Sequence, residues 1–259
     1  MIFKLCRIFV LWCLIFHTAG NAADGALIRT TLQRHWEAMG GNNWLKVESI
    51  QLKGTIERDG QIVDVYIVKK RPNQIRATVT RDLSLPGNEK QQVQMIRAHD
   101  GETGWTGTRL AGTSGMVKEK LPPDAAAELL ADAGVLPRLI KLWRGGAELT
   151  RLDVREIEGR KVLPIQAREK DSPLSYTFFL DNKTFRLNGY ESRNSLGAVT
   201  TVKLDDYIVD AGVYLAKKST IESSATGRSV MQADTVEVGV GIYDDYFKLG
   251  QPTAAADPE

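Results

Sequence analysis

The chain has 259 residues, with 34 Lys and Arg against 32 Asp and Glu and a formal net charge of +2. Lys4 and Arg7 supply that excess and no acidic residue precedes Asp24, so the remainder is electrically balanced. A balanced chain lacks the basic face that displaces counterions from a phosphate backbone, which excludes nucleic acid as the expected partner.

The two basic residues introduce an apolar run from Ile8 to Phe16 and then a small, polar stretch from Thr18 to Ala23. A bilayer-crossing helix needs roughly 20 apolar residues and this run has about half as many, so the pattern predicts a cleavable signal peptide over 1–22 rather than an anchor. Both cysteines, Cys6 and Cys13, fall inside it. The mature chain is therefore expected to carry no disulfide and no thiolate metal site. It is expected to be exported and soluble after cleavage, with one domain over 23–250 and a disordered tail over 251–259.

In chain order, Asp24 is placed to cap a helix whose apolar residues Ile28, Leu32, Trp36 and Met39 recur every three or four positions, stopped by Gly40-Gly41. From Val47 the period becomes two. Ile50, Leu52 and Ile56 alternate with polar residues, Asp59-Gly60 turns the chain, and Gln61 to Lys70 returns as the second arm of a hairpin. Further strands are predicted at Gln74 to Thr80, Gln91 to His99 and Thr103 to Thr108. The stretch from Leu110 to Gly146 breaks the pattern, with helices expected over Ala125 to Ala133 and Leu136 to Arg144. Strands resume at Glu148 to Ile157, Arg160 to Arg168, Ser175 to Leu180, Phe185 to Arg193, Ala198 to Ile208, Val213 to Glu222 and Ser229 to Val240. The expected fold is mainly β: a single wide antiparallel sheet of about 11–12 strands, curled into an incomplete, half-open barrel, with an N-terminal helix and a helical lid insertion.

A barrel of that width is too broad for its own side chains to fill, so the helices are expected to lie over an apolar cavity. Candidate lining residues are Val63, Val65, Ile67, Trp105, Leu129, Leu130, Leu136, Leu139, Leu142 and Trp143. Each also reads as plain core, and the pattern leaves both readings open. Catalytic chemistry has little to stand on. His35 and His99 lack a metal-ligand spacing, Gly112-Thr113-Ser114-Gly115 lacks the glycine pattern of a nucleophile elbow, and the pairs Asp205-Asp206 and Asp244-Asp245 would point to opposite faces of a strand. No catalytic residue, metal or cofactor is expected.

Several segments together resemble the periplasmic lipoprotein carrier family, the LolA-like and LolB-like outer-membrane lipoprotein-sorting proteins. They are the helix ending His35-Trp36-Glu37-Ala38-Met39-Gly40-Gly41, the strand Ile50-Gln51-Leu52-Lys53-Gly54-Thr55, and Asp100-Gly101-Glu102-Thr103-Gly104-Trp105. The helical insertion, Leu204-Asp205-Asp206-Tyr207 before the Val209 to Val213 turn, and Tyr243-Asp244-Asp245-Tyr246-Phe247 complete the likeness. The resemblance implies an unclosed barrel whose concave side, covered by helices, shields acyl chains of a lipoprotein or free lipid in the periplasm. It implies membrane-bound donor and acceptor proteins, a monomer and no enzymatic activity. An envelope hydrolase acting on lipids or glycans, and an assembly factor that binds no lipid, are the alternatives.

Overall fold

The computed structural model describes residues 25–84, 90–113, 115–170, 172, 174–194 and 196–249. The expected signal peptide and disordered tail lie outside them. Helix α1 covers 25–38. The strands β1 (Ser49–Arg58), β2 (Gln61–Lys70), β3 (Gln74–Ser84), β4 (Lys90–His99), β5 (Gly104–Leu110) and β6 (Val117–Lys120) precede two helices, α2 (Pro123–Asp132) and α3 (Arg138–Arg144). Then come β7 (Glu148–Arg151), β8 (Arg155–Ile157), β9 (Arg160–Arg168), β10 (Ser175–Asp181), β11 (Leu187–Arg193), β12 (Val199–Asp210), β13 (Val213–Ser223) and β14 (Gly227–Val238).

All fourteen strands belong to one sheet in the order β6-β5-β4-β3-β2-β1-β14-β13-β12-β11-β10-β9-β7, with β8 also paired to β9. The path ends at β6 and β7 and does not close on itself. Sequential hairpins account for most neighbours, and the turns carry the residues that positive φ demands: Asp59 and Gly60 have φ of 52° and 74°. The count exceeds the expected 11–12 for two reasons. The short, exposed β6 pairs with β5 inside a stretch read as irregular. The segment expected as one strand over Glu148 to Ile157 is two, because it runs beside Pro164 of β9. Leu152 N–H donates to the Pro164 carbonyl at 2.9 Å, and proline has no N–H to return, so the ladder breaks there.

Two compact units form. The first comprises α1, Leu139–Arg144 of α3 and β7–β11. Its core is built from Leu32 and Trp36 of α1, Leu139 and Ile140 of α3, and the cross-strand pairs Leu163–Leu180 and Ile165–Phe178, all buried. His35 is fully buried there. Its Nδ1–H donates to the Phe185 carbonyl at 2.8 Å, Nε2 has no partner among the described residues, and burial pulls its pKa from 6.5 to about 4. The ring is neutral at physiological pH.

The second unit comprises β1–β6, α2 and most of β12–β14. Gly54 marks the one irregularity of the β1–β14 ladder: the register shifts between Lys53 and Gly54, and a Cβ there would lie 2.0 Å from the Gln232 carbonyl oxygen. Only glycine admits so close a strand.

Candidate functional site

Side chains directly opposite in an antiparallel ladder share a face, so the register sorts the second unit residue by residue. Val63, Val65 and Ile67 of β2 face the same side as Ile56, Gly54 and Leu52 of β1, which in turn pair with Met231, Ala233 and Val236 of β14. Ala77 and Val79 extend this face on β3, and Ser219 and Ile221 continue it on β13. The result is one almost wholly aliphatic surface. Along β1, β13 and β14 the other face carries Lys53, Thr55, Glu57, Lys218, Thr220, Thr235 and Glu237. Val65 and Ala233 are buried, while Leu52, Ile56, Val63, Ile67, Met231 and Val236 are only half-buried.

Helix α2 lies on the aliphatic side. Gly104 shares a face with His99 and Ile75, and a Cβ on Gly104 would come within 2.8 Å of the Ala126 Cβ. Glycine at that point lets α2 settle onto the ends of β3, β4 and β5, against which it packs. Leu129 and Leu130 of α2 and Leu136 after it are half-buried.

Trp105 stands on the opposite face, because it pairs with Ala98 rather than continuing the Val65–Val79–Met95 row. There the chain covers itself. After β14 the segment to Leu249 runs over this face, held by side-chain donors to its carbonyls: Lys70 Nζ to Ile242 (2.6 Å), Arg76 Nη1 to Tyr246 (2.9 Å) and Trp105 Nε1–H to Phe247 (2.7 Å). Arg76 also stacks over the Tyr246 ring at 4.2 Å. Trp105 and Phe247 are fully buried, and Ile96, Ala98, Met116 and Leu249 complete the cluster.

Of the sequence candidates, Val63, Val65 and Ile67 therefore share one face, and Leu129, Leu130 and Leu136 belong to the same unit. Leu139 and Leu142 are buried and Trp143 half-buried in the first unit. Sequence reasoning named the closing segment Tyr243 to Phe247 only as part of the family resemblance, with no place on the sheet, and it missed Lys69. The latter follows Val63, Val65 and Ile67 on the same face, directly between buried Ile50 of β1 and buried Ile75 of β3. Burial, with a smaller push from Arg138, lowers its ammonium from 10.5 to about 8.

The first unit has a cavity of about 300 Å³ bounded by Leu27, Arg34, Arg151, Leu163 and Phe185. Among the described residues no cluster of three or more His, Asp or Glu side chains is arranged to hold a metal ion.

Solved structures share this architecture. A LolA superfamily protein from Nitrosomonas europaea aligns with a TM-score of 0.53 at 12% identity, covering 83% of this chain and 96% of its own. A DUF1329 family protein from Desulfovibrio piger aligns with a TM-score of 0.56 at 8% identity, covering 85% of this chain and 96% of its own. No protein-family model and no curated protein matches the sequence. At such identities the likeness concerns the fold: the chain has the LolA-like fold, and the resemblance drawn from its motifs holds at that level.

Proposed function

We propose that this protein is a periplasmic carrier that shields the acyl chains of lipoproteins or lipids on the aliphatic face of β1–β3, β13 and β14 and passes them toward the outer membrane. The observation that carries this reading is the contrast between the two sides of one sheet. The face around Trp105 is sealed by the chain's own C-terminal segment, whereas Leu52, Ile56, Val63 and Ile67 keep aliphatic surface within reach of solvent. A soluble chain gains by covering such surface, and an alkyl chain gains equally, at roughly 0.8 kcal/mol per methylene removed from water. Shielding of this kind needs no catalytic group and no cofactor. The sequence pattern over 1–22, read as a signal peptide, supports a place in the compartment where such cargo crosses between membranes.

Native mass spectrometry and solvent extraction of protein purified from its own envelope test the proposal. A bound acyl compound in stoichiometric amount is the expected result. Protein that is repeatedly empty, and that also fails to take up dodecanol added in solution, overturns it.

A further inference from the structure

Lys69 is out of place on an aliphatic face. Its neighbours in the cross-strand row are Ile50 and Ile75, both under a tenth exposed, with His99 beyond Ile75, and the next row along holds Leu52, Ile67 and Ala77 and ends at the cation Arg97. Among the described residues no carboxylate or carbonyl hydrogen-bonds its ammonium. The adjacent charge is Arg138, a second cation, itself paired with Asp132. Lys69 is half-buried between two buried isoleucines, and holding a cation there without a counter-ion is costly, whereas an apolar residue would pack there without that cost. Lys70, one position on, shows the ordinary solution: it turns to the other face and is held by Asp244 and the Ile242 carbonyl.

We infer that Lys69, backed by Arg138, is the headgroup site of the carrier: it binds the anionic end of a single-chain amphiphile, carboxylate or phosphate, whose alkyl chain lies along Ile67, Leu52 and Val63. This rests on the carrier reading and adds to it the chemical class of cargo. The geometry fits. Lys69 closes the row at the end of β2 with Arg138 as the neighbouring charge, so an anion there sends its tail back along β2 over the half-buried aliphatic positions rather than out past the strand end. At neutral pH the ammonium, with its pKa near 8, still carries its proton. An incoming anion supplies the charge-assisted hydrogen bonds that the protein omits.

The test compares dodecanoate, dodecyl phosphate and dodecanol, three ligands with one tail, by calorimetry on the full mature chain and its Lys69→Met and Lys69→Arg variants. The wild type is expected to bind one or both anions about tenfold or more tightly than dodecanol. Lys69→Met should bring the three to within about twofold of one another while keeping dodecanol affinity, and Lys69→Arg should restore the preference. Preference for dodecanoate assigns a fatty acid, and preference for dodecyl phosphate a phosphate headgroup; either supports the inference. If the wild type binds all three equally, or Lys69→Met keeps the anion preference, the headgroup site is wrong and the carrier reading survives. If none binds, the carrier reading fails and takes the headgroup site with it.

Discussion

Lys69 and Lys70 are consecutive residues of one strand, and the chain treats them in opposite ways. Lys70 lies on the face the protein closes for itself, where Asp244 and a backbone carbonyl satisfy it. Lys69 lies on the aliphatic face, with two isoleucines beside it and no hydrogen-bond partner among the described residues. The same division runs through the whole second unit. One face has Trp105, Phe247 and the carbonyls of Ile242, Tyr246 and Phe247 committed to internal contacts, as a core does; the other keeps half-buried aliphatic side chains and a lysine without a counter-ion, as a receptor does.

The sharpest way to break this comparison is to truncate one residue on each face. Trp105→Ala removes a fully buried ring and its hydrogen bond to the Phe247 carbonyl, and should cost about 3–5 kcal/mol in urea unfolding while leaving dodecanol affinity of the folded protein unchanged. Ile67→Ala, on the half-buried side, should cost less than about 2 kcal/mol of stability yet weaken dodecanol binding measurably. Equal stability losses with no difference in binding would erase the distinction.

His35 offers a comparison from the first unit, a buried base that the fold keeps neutral. Its folded pKa, about 4, lies below the unfolded 6.5, so below pH 6.5 the unfolded chain takes up a proton the native chain refuses. Stability should fall as pH drops from about 6.5 to 4, by about 3 kcal/mol, and His35→Gln should flatten that slope in urea titrations across the range.

Lys69 predicts a smaller effect at the opposite end of the pH scale. Below about pH 8 its charge is present in both states and burdens the native one. Between pH 8 and 10.5 the native chain releases the proton first, so stability should rise by roughly 1–2 kcal/mol once partial exposure is discounted. Lys69→Met should gain that amount at pH 7 and lose the dependence, as thermal melts at pH 7 and 10 would show.

Much of this was legible from residue order. Strict alternation in Ile50 to Ile56 and Gln61 to Lys70, with Asp59-Gly60 between, determined the register that now places Leu52 beside Ile67. The same alternation already assigned Lys69 to the face of Val63, Val65 and Ile67, but a lysine at a strand end reads as solvated until its flanking strands are known to present isoleucine on both sides. From the sequence Trp105 reads either as core or as cavity lining, and which side of the sheet it faces is set by pairing with β4, a long-range fact absent from local pattern. The segment from Tyr243 to Leu249 has no strand or helix period. Its hold comes from Lys70, Arg76 and Trp105, residues more than 140 positions away. Asp206 departs from its expected place in a regular strand: with φ of 52° its backbone is left-handed, and the β12–β13 pairing runs from Asp205 to Tyr207 in one register without it.

Photolabelling with a diazirine-bearing alkyl chain, followed by peptide mapping, tests the receptor face most directly. Covalent adducts concentrated on Leu52, Ile56, Val63 and Ile67 are the predicted result. Adducts confined to the cavity around Leu27 and Phe185, or to the sealed side at Trp105 and Phe247, would contradict it.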